Sequence, residues 1–305
     1  MRRYLAYGEI SLALILWVLA LKGCLLGQEP YVTFLYQFAW WPYILFLDGL
    51  LLQLKGKSLL FDRPGDFCRL AVWSVTAWLV FEAFNFILAN WRYVGLLPNR
   101  WGRWPGYALA FATVLPGILL TARALEALGA WRGLKGASRN LGYWQPCSLT
   151  LGVVLLVLPL MAPAYAFPLV WSALIFLLDP FCDLLGGKSL IRRWAAGERG
   201  ELLCLLTAGL ICGVWWELWN YPAGAKWVYT LPVLNFGKIF EMPVLGYLGF
   251  PPFALECAVI YNFLSALESR IINTTQRRRV FYLLQGIFWV VMFAAIDAWT
   301  VMSFR

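Results

Sequence analysis

The chain has 305 residues, of which 62% are hydrophobic and only 13% are charged, with a formal net charge of +9. Soluble globular domains carry about 25% charged residues, so this composition excludes that class. The sequence contains no histidine, which excludes His-ligated haem, His-containing zinc sites and Ser-His-Asp catalysis. We therefore expect neither a cofactor nor a metal.

Long apolar stretches recur along the whole chain, and several reach the roughly 20 residues needed to cross a bilayer. They predict an all-α, polytopic transmembrane helix bundle. The first stretch lacks a clean small-x-small cleavage site, so we interpret it as a retained helix. Glycine and proline mark most of the segment ends. The nine predicted spans lie near residues 6–24, 32–54, 69–89, 105–125, 147–165, 168–186, 201–221, 246–267 and 280–302.

The distribution of basic residues predicts the orientation of these spans. With the N-terminus in the cytoplasm, 18 of the 25 lysines and arginines fall on the cytoplasmic side, as the positive-inside rule favours. The C-terminus is then outside, and we expect a bacterial inner (cytoplasmic) membrane location. The basic charge is explained by topology and by contact with membrane lipids, so we predict no nucleic-acid partner.

Two parts of the sequence resemble each other and predict an internal repeat. The stretch "WWPYILFLDGLLLQLKGKSLL" matches "VWSALIFLLDPFCDLLGGKSLI", which aligns Asp48 with Asp179 at an offset of 131. Matched spans are four apart, so both copies run in the same direction, as in parallel-repeat membrane folds. We predict a first repeat over 1–140, a second over 141–270 and a closing helix over 271–305. Each aspartate is expected to pair with a basic residue or to cap a helix, and nucleotide binding is rejected because the P-loop spacing is missing.

A second match concerns polar residues inside the apolar spans. Glu82 and Asn85 in "VFEAFNFILANWRY" correspond to Glu217 and Asn220 in "VWWELWNYPAGAKWVY", at an offset of 135. A spacing of three places each pair on one helix face. A carboxylate in hydrocarbon is costly, so both must face the bundle interior, a partner or water. Two interpretations remain open: polar contacts that join the halves, or the lining of a cavity with proton-transfer groups.

The segment after the seventh span, residues 225–261, is too apolar for a solvated loop and too rich in Gly and Pro for a regular helix. We predict an interfacial or re-entrant segment, tolerated where protein or a cavity satisfies its backbone. It contains Glu241 and Glu256, which have no acidic counterpart in the first half. Glu241 is a candidate catalytic residue, or it forms a surface salt bridge with Lys226 or Lys238. Asp297, in the last span, is left unassigned.

Aromatic residues crowd around one of the buried carboxylates. Most Trp and Tyr residues of membrane proteins form interfacial belts. Electron-rich aromatic faces also attract cations, so the aromatic cluster near Glu217 is a candidate wall that stabilises a carbocation formed by protonating an alkene in a hydrophobic small molecule. The candidate substrate-binding residues are Trp216, Trp219, Trp227, Tyr229, Glu82 and Asn85.

The stretch "WWELWN…KWVY", followed by "FEMPVLGYLGFPPFALE", resembles the small integral-membrane lycopene cyclases of carotenoid biosynthesis, mainly over residues 170–265. The resemblance implies repeated multi-helix units and acid–base chemistry on an isoprenoid. It implies that Glu256 matches the acid of the Pro-x-Glu-Glu-type motif and that Glu217 matches the acid after tryptophan. The adjacent acidic pair of that motif is absent here.

Two hypotheses follow from these observations. The first is an isoprenoid- or lipid-modifying cyclase or isomerase, with Glu256 as acid and Glu217 as its partner or base. Asn220 would be the positioning residue, and Trp216 and Trp219 would form a cation-tolerant wall. A carboxylic acid in apolar surroundings can stay protonated and act as a proton donor. The second is a non-catalytic transporter, lipid-binding protein or assembly subunit. The sequence leaves open whether the protein forms a homo-oligomer.

Overall fold

The computed structural model describes residues 2–305, and nearly all of its long segments are α-helices. The first half contains two long helices, a short helix and a third long helix, followed by a strand and two consecutive helices. They are α1 (Arg2–Leu25), α2 (Leu35–Lys55), α3 (Leu59–Asp62), α4 (Pro64–Leu88), β1 (Trp91–Val94), α5 (Arg100–Phe111) and α6 (Val114–Ala127).

The second half contains long and short helices, three short strands and the last helix of the bundle. Its elements are α7 (Trp144–Met161), α8 (Pro163–Ala166), α9 (Val170–Leu184), α10 (Leu190–Ala195), α11 (Gly200–Asn220), β2 (Lys226–Tyr229), β3 (Lys238–Ile239), β4 (Met242–Pro243), α12 (Phe250–Arg270) and α13 (Thr275–Trp299). Short 3₁₀ helices at Phe167–Leu169 and Val244–Gly249 precede α9 and α12.

Within residues 2–305, eight helical segments are long and apolar enough to cross a membrane. This result supports the prediction of a polytopic membrane protein. Helix α2 is the remaining long helix of the nine predicted spans, and its 21 residues would extend about 30 Å. It is not among the eight segments, since its sequence contains Gln, Asp, Trp and Tyr side chains that lower the mean hydropathy.

The surface and the centre of the bundle differ as expected for a protein in lipid. Large apolar side chains are exposed on α1, α7 and α13, for example Ile15, Val153 and Ile287. Such a continuous apolar surface is not stable in water but matches a bilayer. Helix α6 lies at the centre, and Leu115 and Ile118 on it are fully buried.

Successive long helices run in opposite directions, so the bundle has two ends. One end, the basic end, carries the N-terminus of α1 and the connections after α2, α6, α9 and α12; ion pairs such as Arg69–Glu268, at 3.0 Å, join its elements. The other end, the strand end, carries β1, β2 and residues 300–305. Arg69 lies on α4 and Glu268 on α12, so this ion pair also connects the two halves.

The basic end contains the same capping arrangement twice. Asp48 accepts hydrogen bonds from the Ser58 hydroxyl and the Leu59 amide. Asp179 accepts equivalent bonds from the Ser189 hydroxyl at 2.5 Å and the Leu190 amide at 2.8 Å. Ser58 and Ser189 are themselves the N-caps of α3 and α10. Of the two predicted roles, the structure therefore shows helix capping by both aspartates.

The strand end contains sheet structure that the all-α prediction did not include. Strands β1 and β2 pair antiparallel, and in the described chain β3 and β4 form a further two-stranded hairpin. The C-terminal tail runs parallel beside β1, and Met302 donates its amide to the Tyr93 carbonyl at 2.8 Å. Residues 225–261, predicted as interfacial or re-entrant, form β2, the hairpin, a 3₁₀ turn and the first half of α12.

Candidate functional site

A cavity of about 180 Å³ lies at the strand end, and both halves of the chain contribute to its wall. The lining includes polar side chains such as Thr33, Gln37 and Asn90, but nearly half of it is aromatic. These aromatic residues are Phe34, Tyr36, Trp78, Trp91, Tyr93, Tyr107, Phe111, Phe167, Trp171, Trp216, Trp227, Tyr229, Phe250 and Phe253. A concave, mostly apolar pocket with a few polar groups is typical of a small-molecule site.

One side of the cavity is formed by the paired strands β1 and β2. Trp91 lies directly opposite Tyr229, and Tyr93 lies opposite Trp227. Residues directly opposite in an antiparallel pair point to the same face of the sheet, and so do residues two apart on one strand. The four aromatic side chains therefore share one face, and all four line the cavity.

Glu82 lies behind this aromatic wall and is fully buried. Its Oε1 atom accepts hydrogen bonds from Trp78 Nε1 at 2.9 Å, Trp91 Nε1 at 3.1 Å and the Tyr93 hydroxyl at 2.5 Å. All three donors line the cavity, whereas Glu82 is not among the described residues that do. The carboxylate thus fixes the orientation of three wall residues.

Glu217 occupies the corresponding place in the second half and is also fully buried. Its Oε1 atom accepts a hydrogen bond from the Tyr229 hydroxyl at 2.7 Å. Glu217, too, is outside the set of described residues that line the cavity. Tyr229 therefore lies between Glu217 and the cavity, as Trp78, Trp91 and Tyr93 lie between Glu82 and the cavity.

The donor and acceptor roles of the two tyrosine hydroxyls are defined. Burial raises the pKa of Tyr93 and of Tyr229 well above the usual range, so both phenols stay protonated at physiological pH. Each phenol proton is donated to a glutamate, and the phenol oxygen keeps its acceptor capacity. A molecule in the cavity can therefore find acceptors at these two positions.

Asn85 and Asn220 hold the strands in place beside the glutamates. The Asn85 side chain donates to the Trp91 carbonyl at 3.0 Å and accepts from the Trp91 amide at 3.2 Å. The Asn220 side chain makes the same two bonds with Trp227, at 2.9 and 3.0 Å. A side-chain amide here replaces a missing strand neighbour, so each Glu–Asn pair builds the cavity wall rather than facing a ligand.

Glu256 has different surroundings from Glu217. It is fully buried in α12, and its Oε1 atom accepts a hydrogen bond from the Leu174 amide at 2.8 Å. The described residues around the cavity include neither Glu256 nor Glu217, and the two carboxylates have different hydrogen-bond partners. The structure therefore does not bring this predicted acid and base together at the cavity.

Glu241 forms an ion pair with Lys226 at 3.0 Å, which is the surface salt bridge considered as an alternative. Lys226 lines the cavity, whereas Glu241 lies beside it. Of the predicted tryptophan wall, Trp216 and Trp227 reach the cavity. Trp219 instead packs against Trp40 with the ring centroids 4.8 Å apart.

Asp297, unassigned from the sequence, anchors the closing helix α13 to α5. Its two oxygens accept from Arg103 Nε at 2.7 Å and Nη2 at 2.6 Å, and also from Trp104 Nε1 and the Tyr107 hydroxyl, each at 2.9 Å. Arg103 lines the cavity with its charge already neutralised. An aspartate inside an apolar span requires such a partner, but its spacing from Arg103 gives no signal in the sequence.

Asn90 is the residue that the sequence analysis missed most clearly. It lines the cavity and is only 2% exposed, yet neither Oδ1 nor Nδ2 has a hydrogen-bond partner within residues 2–305. Leaving an amide buried without partners costs about 1–3 kcal/mol. The sequence offers no signal for this arrangement beyond an asparagine next to Trp91.

The described residues contain no cluster of three or more His, Cys, Asp or Glu side chains that could hold a metal ion. The site consists of an aromatic cavity, two Glu–Tyr pairs behind it and one unpartnered amide. The comparisons with known proteins found no matching family model, no similar curated protein and no similar solved structure.

Proposed function

We propose that the protein binds a hydrophobic small molecule or lipid in the cavity between its two halves. The observation that carries this proposal is the aromatic lining of an interior space at one end of the bundle. The free energy decreases when an apolar ligand displaces water from apolar and aromatic surfaces.

The wall of the cavity is held in position by groups that do not contact the ligand space. Glu82, Glu217, Asn85 and Asn220 bond to wall residues on β1 and β2 and are buried. A site that is already ordered before binding loses less conformational entropy when a ligand enters. This preorganisation supports binding as a function of the cavity.

The lycopene-cyclase-like activity stays a prediction. It requires Glu256 and Glu217 to meet a substrate, and the described residues around the cavity include neither of them. Binding is therefore better supported than acid–base catalysis. If Glu256→Ala or Glu217→Ala abolished the formation of a product while leaving expression intact, the catalytic hypothesis would regain support.

We also infer that the two halves are copies of one unit. The capping contacts of Asp48 and Asp179 support this, and so do the two Glu–Asn–strand arrangements. In such a duplication, a site between the halves is shaped by both copies. The strand pairing, which places the Trp91–Tyr229 pair beside the Tyr93–Trp227 pair, is consistent with a two-fold relation at the cavity wall.

The charge distribution supports an orientation with the basic end in the cytoplasm. The cavity would then lie toward the outer face of the membrane. Reporter fusions at the loop near Asn140 and at Arg305 test this orientation, because the two positions lie at opposite ends of the bundle. A reporter that is active only in the cytoplasm should be inactive when fused at Arg305 and active when fused near Asn140.

The binding proposal is tested by mass spectrometry of apolar compounds that copurify with the protein in detergent. Ala110 lines the cavity, and Ala110→Phe should displace the bound compound by filling its space. Leu109→Phe is the matched control, because Leu109 is the neighbouring residue and its side chain is 51% exposed on the outer surface of the bundle. The same compound recovered at equal yield from wild type and Ala110→Phe would contradict the proposal.

A further inference from the structure

We propose that Asn90 selects a ligand with one uncharged polar group, a hydroxyl or a carbonyl, at the end of an apolar body. This inference rests on the proposed binding function and deepens it. It starts from the position of Asn90, whose side chain lies at the cavity wall without a protein partner.

The backbone of Asn90 is held firmly, so the amide side chain has a defined location. The backbone N–H of Asn90 donates to Asn85 Oδ1 at 2.8 Å, and the backbone carbonyl of Asn90 accepts from the Thr230 amide at 2.9 Å. The side chain is the only part of the residue left without a bond in the described chain. Native proteins rarely leave both ends of a buried amide unpaired, which points to an external partner.

The charges around the cavity exclude an ionic ligand. Arg103 and Lys226 are the cations among the described lining residues, and they are paired with Asp297 and Glu241. The same described lining contains no aspartate or glutamate. A carboxylate, phosphate or ammonium group would therefore be desolvated without an unpaired counter-charge, which is unfavourable.

The Asn90 amide offers one acceptor oxygen and a donor NH₂ group. A hydroxyl group can donate to the oxygen and accept from the nitrogen, whereas a carbonyl can accept from the nitrogen alone. The aromatic lining then accommodates the apolar body of the ligand. The geometry thus describes a neutral alcohol or a neutral carbonyl compound rather than a fatty acid or a phospholipid headgroup.

The test uses three probes of equal chain length: 1-dodecanol, dodecane and dodecanoic acid. Each is titrated against the purified full-length protein in detergent, and the rise in the thermal unfolding temperature gives the half-saturating concentration. For wild type, dodecanol should bind about tenfold more tightly than dodecane, the effect of one satisfied buried hydrogen bond. Dodecanoate should bind more weakly than dodecanol.

In Asn90→Leu the preference for dodecanol over dodecane should disappear, while dodecane binding should be retained. Asn90→Ala is the second variant if the first does not fold. Asn262→Leu is the matched control, because Asn262 bonds to the Lys188 carbonyl far from the cavity, and it should keep the wild-type preference.

The outcomes separate this inference from the binding proposal beneath it. Equal affinities for dodecanol and dodecane in wild type, an unchanged preference in the Asn90 variants, or tightest binding of dodecanoate would overturn the role of Asn90 and leave the cavity as a binding site. If none of the three probes stabilised wild type, both proposals would be contradicted.

Discussion

Residues 82–94 and residues 217–229 build the same local structure, but they fill it with different chemistry. In both, a glutamate accepts a tyrosine hydroxyl, and an asparagine three positions later bonds to the backbone of a tryptophan on a strand. In the described chain, Glu82 accepts hydrogen bonds from three wall residues, whereas Glu217 accepts one from a single wall residue. The first unit is therefore the more tightly fixed part of the wall.

A second difference lies immediately before the strand tryptophans. Asn90 precedes Trp91, and its side chain has no hydrogen-bond partner in the described chain, whereas Lys226 precedes Trp227 and is paired with Glu241. The two regions thus have similar supporting hydrogen bonds, whereas the residues before their strand tryptophans differ. The proposed recognition of a polar group therefore involves a residue of the first half, Asn90.

The largest expected effect comes from comparing Glu82→Leu with Glu217→Leu. Losing Glu82 leaves the side-chain donors of Trp78, Trp91 and Tyr93 buried without an acceptor, which should lower the free energy of unfolding by about 3–4 kcal/mol. Losing Glu217 leaves the Tyr229 hydroxyl without its acceptor and should lower the free energy of unfolding by about 1–2 kcal/mol. Thermal or denaturant unfolding in detergent measures both. Equal losses would show that the two units are equally fixed.

Next in size is Asp297→Asn, which affects an anchor without a counterpart in the second unit. The substitution removes the charge that compensates Arg103 and should destabilise the protein by about 3 kcal/mol, because a partly buried arginine then lacks its partner. The unfolding temperature in detergent measures this effect. Glu241→Asp keeps the charge of the other lining ion pair and is the control. A loss below about 1 kcal/mol for Asp297→Asn would contradict the anchoring role.

A smaller effect is expected for the asparagines. Asn85→Ala and Asn220→Ala should each remove the side-chain hydrogen bonds of one strand and lower the free energy of unfolding by about 1–2 kcal/mol. Asn85 should cost more, because it also accepts from the Asn90 amide. Hydrogen exchange should become about tenfold faster at the Trp91 amide in Asn85→Ala and at the Trp227 amide in Asn220→Ala. Faster exchange at both amides in either variant would show that the strands open together.

The smallest expected effect is that of Glu241→Gln, because its ion pair with Lys226 is partly exposed. Such pairs contribute about 0–1 kcal/mol to stability. The unfolding temperature should stay close to wild type in low salt and match it in high salt. A loss comparable to that of Asp297→Asn would show that the two ion pairs at the cavity are equivalent after all.

The sequence predicted several features of the fold because their signals are local. Apolar segments long enough for a bilayer identify most spans. The matched "GKSL" stretches aligned Asp48 with Asp179 and left two roles open for them, of which the structure shows capping. The cost of a carboxylate in hydrocarbon required Glu82 and Glu217 to face inward, and both are fully buried. Each of these inferences needed only neighbouring residues or a comparison of two stretches.

The sequence could not predict which distant groups meet. The β1–β2 pairing joins residues about 136 positions apart, and Arg103 meets Asp297 across 194 positions. The segment "WRYV" is too short to signal a strand without its partner. For the same reason, the pairing of Glu217 with Glu256 was a hypothesis that proximity along the chain could not support.

The sequence by itself determined that the protein lies in a lipid bilayer, that it is mainly helical and that its buried acids face inward. Hydropathy and the cost of burying charge act on each segment separately, so each segment carries its own signal. Only the tertiary structure decided that aromatic wall residues lie between the glutamates and the cavity, that Asp297 neutralises Arg103, and that the Asn90 side chain has no hydrogen-bond partner in the described chain. Those outcomes depend on how helices and strands distant in sequence pack together, and no single segment specifies that packing.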